Sequence, residues 1–124
     1  MIIAGTLLRP VQGDVDFSPG WLRIEADRIA EVHPGPCPHT PDLGGDRFVI
    51  SPGFVDAHVH LPQADSVGVT GWPLLTWLER VIFPAEARWN DPDFAGQMAH
   101  RVGRKLLAHG TTSVAAYATV HHPG

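Results

Sequence analysis

Glycine and proline fill about a fifth of the 124 residues, at 13 and 12 positions respectively, roughly twice ordinary usage. A chain punctuated that densely folds into short elements joined by turns, which argues against a helical bundle or a coiled coil. The punctuation is also uneven. Pro34, Pro36, Pro38, Pro41 and Gly44-Gly45 crowd together, and 34–45 reads as a linker or long loop. Before it, Ile2 to Leu8 is apolar and β-compatible. The alternating runs Trp21-Leu22-Arg23-Ile24 and Arg28-Ile29-Ala30-Glu31-Val32 predict a hairpin turning at Ala26-Asp27.

We place the first part at 1–47 and the second at 48–124. In the second, Phe48-Val49-Ile50 reads as a buried strand broken by Ser51-Pro52-Gly53, and Phe54 to His60 as the next strand. Leu61 to Trp72 reads as a loop. Leu74, Leu75, Trp77, Leu78, Val81 and Ile82 fall near helical spacing and predict a helix that Pro84 ends. A second helix starts at an Asp91 N-cap with Pro92 behind it, repeats Phe94, Met98, Val102 and Leu106 every four residues, and stops at Gly110. Thr111 to Val120 completes a strand–helix–strand order, the pattern of an α/β protein with a parallel sheet.

Composition narrows the functional classes. A formal net charge of −4 is too small to imply a polyanionic partner, so no nucleic acid is expected. No apolar run approaches the ~20 residues that span a bilayer, and the apolar opening lacks the basic flank of a signal peptide. Cys37, a single cysteine, excludes a disulfide framework and a Cys-rich zinc knuckle. The expectation is a soluble, cytoplasmic protein. Eight histidines is the unusual count, and it turns attention to metal.

His58-Val59-His60 carries the argument. Residues two apart on a strand share a face, so both imidazoles can offer neutral nitrogens to one metal at ~2.0–2.1 Å. A His-x-His alone is weak, since a chain of this composition holds about half of one by chance. Two histidines facing solvent or a core edge is the competing reading. Context favours the metal: the pair ends an apolar strand and opens a loop, where a barrel gathers its reactive groups. Asp56 is in phase with both and suits either a partner orienting an imidazole or a buried ion pair.

Ser51-Pro52-Gly53-Phe54-Val55-Asp56-Ala57-His58-Val59-His60 resembles the first-strand motif of the amidohydrolase superfamily. Leu61-Pro62-Gln63, Leu74-Leu75-Thr76-Trp77-Leu78-Glu79, Phe83-Pro84-Ala85-Glu86, Asp93-Phe94-Ala95, Gly110-Thr111-Thr112 and Tyr117-Ala118-Thr119-Val120-His121 resemble its guanine deaminase branch. The likeness runs from about Ile50 to the last residue; Thr76 and Arg80-Val81-Ile82 depart from it. It implies the start of a metal-dependent (β/α)8 barrel, incomplete here, preceded by N-terminal strands of a small β-sandwich. It implies Zn2+ held by His58 and His60, and a guanine site formed by His60, Leu61, Pro62 and Gln63. A carboxamide at Gln63 can answer both donors and acceptors of the base, although a solvent-facing loop residue reads the same way by itself. The implied reaction is hydrolytic deamination of guanine to xanthine and ammonia in purine catabolism, by a zinc-activated water and a carboxylate base.

The same resemblance places further metal ligands and the base on later strands, and makes the full-length parent a homodimer. A whole barrel needs ~250 residues, so the chain is expected to be an N-terminal piece that is inactive alone. Another cyclic amidine or amide hydrolase of the superfamily, and a non-catalytic metal-binding module, are the alternatives. Glu79 and Glu86 suit an exposed helix face and a cap as well as acid–base work. Trp72, Trp77 and Trp89 read as packing, His100 and His109 as helix residues. His121 can approach the site, and His122 reads as a frayed tail.

Overall fold

The computed structural model describes residues 1–121 and divides into two compact units between Pro52 and Gly53. The first is a four-stranded sheet in the order β3-β2-β1-β4, built from β1 (Ile2–Val11), β2 (Asp14–Glu25), β3 (Arg28–Pro34) and β4 (Leu43–Ile50). Strands β1 and β2 run antiparallel over their whole length, from Ile2 opposite Arg23 to Val11 opposite Asp14. Both hairpins turn on two residues of positive φ, Gln12-Gly13 (41° and 91°) and Ala26-Asp27 (47° and 61°). Turns of that hand match the twist of the flanking strands. Leu7 and Ala4, at 2% and 7% exposure, and Gly20 are the buried positions of this sheet. Leu7 fits because Gly20 beside it has no side chain: a Cβ there would stand 2.4 Å from Leu7 Cδ1.

Strand β4 corrects the sequence reading. It begins at Leu43, within the stretch expected to be linker, and runs parallel to β1 with Val49 opposite Thr6 and Ile50 opposite Leu7. The run Phe48-Val49-Ile50 therefore belongs to the first sheet and not to the second part, so that sheet extends past residue 47. The backbone amide of Ile2 donates to Asp42 Oδ2 (2.6 Å) and Asp42 N–H to the Ile2 carbonyl (2.9 Å), which pins the strand entry. Gly44, at φ 96°, lies so close to Ala4 that a Cβ would fall 2.0 Å from its carbonyl oxygen. Gly44, the first of two glycines that look like a loop, is what lets β4 dock, while Gly45 (φ 128°) lies in open space.

The second unit holds the parallel pair β5 (Phe54–His60) and β6 (Thr111–Tyr117), with β6 three residues shorter than expected. Gly53 lies beneath Thr112: an added Cβ would meet that side chain at 2.0–2.7 Å. Between the strands lie a 3-10 turn (Leu61–Ser66), the short helices α1 (Leu74–Trp77) and α2 (Phe83–Ala87), and the long helix α3 (Pro92–Ala108). Asp91 caps α3 as its sequence predicts, Oδ1 accepting from the amides of Asp93 (2.9 Å) and Phe94 (3.3 Å). Met98 and Ala95 of α3 bury against Trp89, with Leu61 and Phe94 packed on this cluster. Val102 is buried one turn further on.

Pro84 does not end a helix here. Leu78–Ile82 is π-helical, and the Phe83 amide reaches back to the Leu78 carbonyl. This wider turn seats Pro84 in the first turn of α2, where its missing N–H costs no helical bond. No helix among the described residues is long and apolar enough to cross a membrane.

Candidate metal centre

Strand β5 alternates, so His58 and His60 emerge on one face with Val59 between them. Their Nε2 atoms stand 3.0 Å apart, and the rings lie 5.0 Å between centroids. Tyr117 of β6 backs both: it stacks on His60 (4.8 Å, 11° between planes) and approaches His58 at 4.9 Å. The parallel register that sets Tyr117 opposite His60 brings it there. Sequence reasoning quoted Tyr117 within a motif but gave it no place in the site. The signal was the equal phase of two parallel strands.

The donor set fits a metal. Two nitrogens each bound to zinc at ~2.05 Å are about 3.3 Å apart at a tetrahedral angle and about 2.9 Å at a right angle. The observed 3.0 Å falls between these values. With no ion between them, one Nε2–H donates to the other nitrogen; with one, both imidazoles must present a lone pair. His58 is exposed and His60 half-buried. No third His, Cys, Asp or Glu joins them among the described residues. Asp56 does not touch either ring. Its Oδ1 accepts from the His58 backbone amide at 3.1 Å, which braces the strand end in place of the expected imidazole contact or ion pair.

His58, His60 and Gln63 line one cavity of about 570 Å3, together with Trp77 and, from the last turn of α3, Lys105 and His109. Gln63 is brought in by the 3-10 turn that follows β5 directly. Its Nε2 donates to Glu86 Oε1 at 3.1 Å, which joins two motifs 23 residues apart. Leu61 packs against the Trp89–Ala95–Met98 cluster and Pro62 is buried; neither lines this cavity. The Trp77 indole N–H is buried and has no partner among the described residues. Trp89 is core, at 3% exposure, and Trp72 lies under the Arg80 guanidinium at 5.0 Å.

His109 differs from its reading as a purely structural helix residue. Its ring closes the end of α3, Nδ1–H donating to the Lys105 carbonyl at 2.8 Å, and also faces the cavity. His100 and Glu79 are exposed. His121 donates its backbone amide to Thr119 Oγ1 (3.3 Å) and is not a lining residue; His122 lies outside the described residues.

The family model described as the Amidohydrolase family matches residues 49–124, which contain the whole site. A guanine deaminase of Dictyostelium discoideum is 45% identical over 78 residues, 62% of this chain and 17% of that protein. The solved E. coli guanine deaminase superposes with a TM-score of 0.80 at 29% identity, covering 98% of this chain and 32% of the other. A guanine deaminase from C. acetobutylicum, crystallised with guanine bound in its active site, gives a TM-score of 0.78 at 28% identity over 97% of this chain and 30% of that one. The chain therefore spans about a third or less of the length of these relatives.

Proposed function

Because this chain belongs to the amidohydrolase family, we propose that its second unit forms the metal-binding and purine-binding portion of a guanine deaminase, which converts guanine to xanthine and ammonia in purine catabolism. The observation that carries this reading is the convergence of His58 and His60 Nε2 at 3.0 Å on a cavity that Gln63 also lines. His58 and His60 would hold a zinc ion, whose Lewis acidity would serve hydrolysis at the ring carbon bearing the amino group. The architecture is that of a (β/α)8 barrel, for which β5, α3 and β6 form a first strand–helix–strand unit, with a small β-sandwich from the N-terminal sheet.

The chain's own residues bind and orient. Tyr117 stacks on His60 and holds its plane, which keeps Nε2 aimed at the neighbouring Nε2. Asp56 fixes the backbone between the ligands. His60 and Gln63 form the purine side, Gln63 offering a hydrogen bond to the base while Leu61 and Pro62 anchor the turn that carries it. The wall at Val67, Gly68 and Val69 is apolar and suits a flat heterocycle.

Exchange of residues 49–121 into the matching segment of the E. coli guanine deaminase tests the reading by ammonia release from guanine. Turnover is expected to survive, to vanish in His60→Ala, and in Gln63→Ala to show a KM for guanine raised about tenfold with zinc content unchanged. A folded, zinc-loaded hybrid that releases no ammonia would contradict it.

A further inference from the structure

Gln63 is a planar amide with a donor end and an acceptor end, and one contact decides which end reaches the cavity. Its Nε2 lies 3.1 Å from Glu86 Oε1. An ionised carboxylate only accepts hydrogen bonds, so the amide nitrogen must be the end that faces it. Glu86 is half-buried and does not itself line the cavity, whereas Gln63 does. The contact is held from two sides. Gln63 sits on the 3-10 turn that carries buried Pro62 and Ser66, and Glu86 on α2, which follows directly on Ile82, at 1% exposure. A charge-assisted hydrogen bond between partly buried groups is stronger than its neutral counterpart.

We propose that Glu86 is a positioning residue that fixes the Gln63 amide with its carbonyl oxygen toward the cavity, so that the site selects a ring bearing N–H donors over one bearing bare acceptors at that edge. This rests on the guanine reading above and adds a specificity device to it. Guanine carries N–H donors at N1 and the 2-amino group, whereas adenine presents a bare N1 acceptor at the corresponding position. A carbonyl held toward the ring pairs with the first and leaves two acceptors facing each other with the second. A freely flipping amide answers both. Glu86 thus works through Gln63 without touching the base.

The test uses the whole chain and two readouts. The first needs no ligand: the Gln63 side-chain amide signals, assigned by their loss in Gln63→Ala, are followed in 15N-edited spectra. In the wild type they should exchange slowly with solvent. Glu86→Leu should abolish that protection, and Glu86→Gln, which keeps the size but can donate as well as accept, should weaken it. Signals unchanged in both variants would overturn the proposal.

The second readout is titration with guanine and with adenine. Glu86→Gln should lower the preference for guanine about five- to tenfold without altering zinc titration, and the swapped pair Gln63→Glu with Glu86→Gln should restore it. A preference unchanged in Glu86→Gln would overturn the selectivity claim. A wild-type chain that keeps the Glu86-dependent amide signals but binds no guanine would sink the purine reading while supporting the orientation of Gln63.

Discussion

His33 of the first unit stacks on Trp21 with centroids 4.0 Å apart, and its Nε2 meets Glu31 at 2.6 Å. Arg23 also pairs with Glu31, and with Glu25. In the second unit His58 and His60 turn their nitrogens on each other at a cavity. The same residue type at the same two-residue strand spacing from its partner does structural work in one place and turns two ring nitrogens on each other at a cavity in the other. What differs is the neighbour. In the first unit the in-phase residues are a carboxylate and an imidazole, which satisfy one another across the sheet surface. In the second they are two imidazoles, which share one N–H between them or, with both lone pairs presented, can hold a cation. Ion pairs follow the same division, Arg9–Asp16 and the Arg23 cluster lying in the first unit and Arg101–Asp65, at 3.3 Å, in the second.

The comparison can be broken at several strengths. The second unit depends on one aromatic anchor, so Trp89→Ala should cost about 3–5 kcal/mol in urea unfolding, against about 2–4 for Leu7→Ala in the first sheet. Equal and small losses, under about 1 kcal/mol each, would show that neither residue is the core this account makes it. Next in size is Gly53→Ala, whose new methyl would collide with Thr112 and should cost about 1–3 kcal/mol. Gly103→Ala within α3, with open space around it, should instead stabilise by about 0.5–1 kcal/mol. A neutral Gly53→Ala would mean that β5 and β6 do not approach as described.

The smallest effect is electrostatic. Arg23, and after it His33, hold the Glu31 carboxyl down from 4.5 to about 2. A carboxylate with a depressed folded-state pKa stabilises above its ordinary value and loses that contribution as pH falls through the folded one. Stability should therefore decline between pH 4.5 and about 2, and Glu31→Gln should flatten that slope. The pairs are only half-buried and remain open to solvent, so the slope is expected to be shallow. An identical acid slope in the variant would remove Glu31 from the account.

Much of this was legible in the sequence because it is local. The His58/His60 face follows from strand period, the α3 cap from Asp91-Pro92, and the Ala26-Asp27 hairpin from two alternating runs. The Gln12-Gly13 hairpin carried a readable turn signal as well, a glycine where φ must be positive. Other features are non-local and left no local mark. Strand β4 pairs with β1 across some forty residues, and Gly44-Gly45 disguise it as loop. The π-turn at Leu78–Ile82 carries the helix on through Pro84 and is not announced by the apolar spacing, so Pro84 reads as a stop. The Gln63–Glu86 contact joins two motifs that look independent in the chain, and Tyr117 enters the site only through the β5–β6 register.

The central claim is that His58 and His60, and not the histidines of the first unit, are the metal ligands. Zinc titration of the chain and four alanine variants tests it directly. Two imidazole ligands should give one ion per chain with a Kd on the order of 1–100 μM, far weaker than a closed four-ligand site. His58→Ala and His60→Ala should each weaken it at least tenfold, whereas His33→Ala and His39→Ala should leave it unchanged. Binding unchanged in both His58→Ala and His60→Ala, or lost in His33→Ala, would contradict the account.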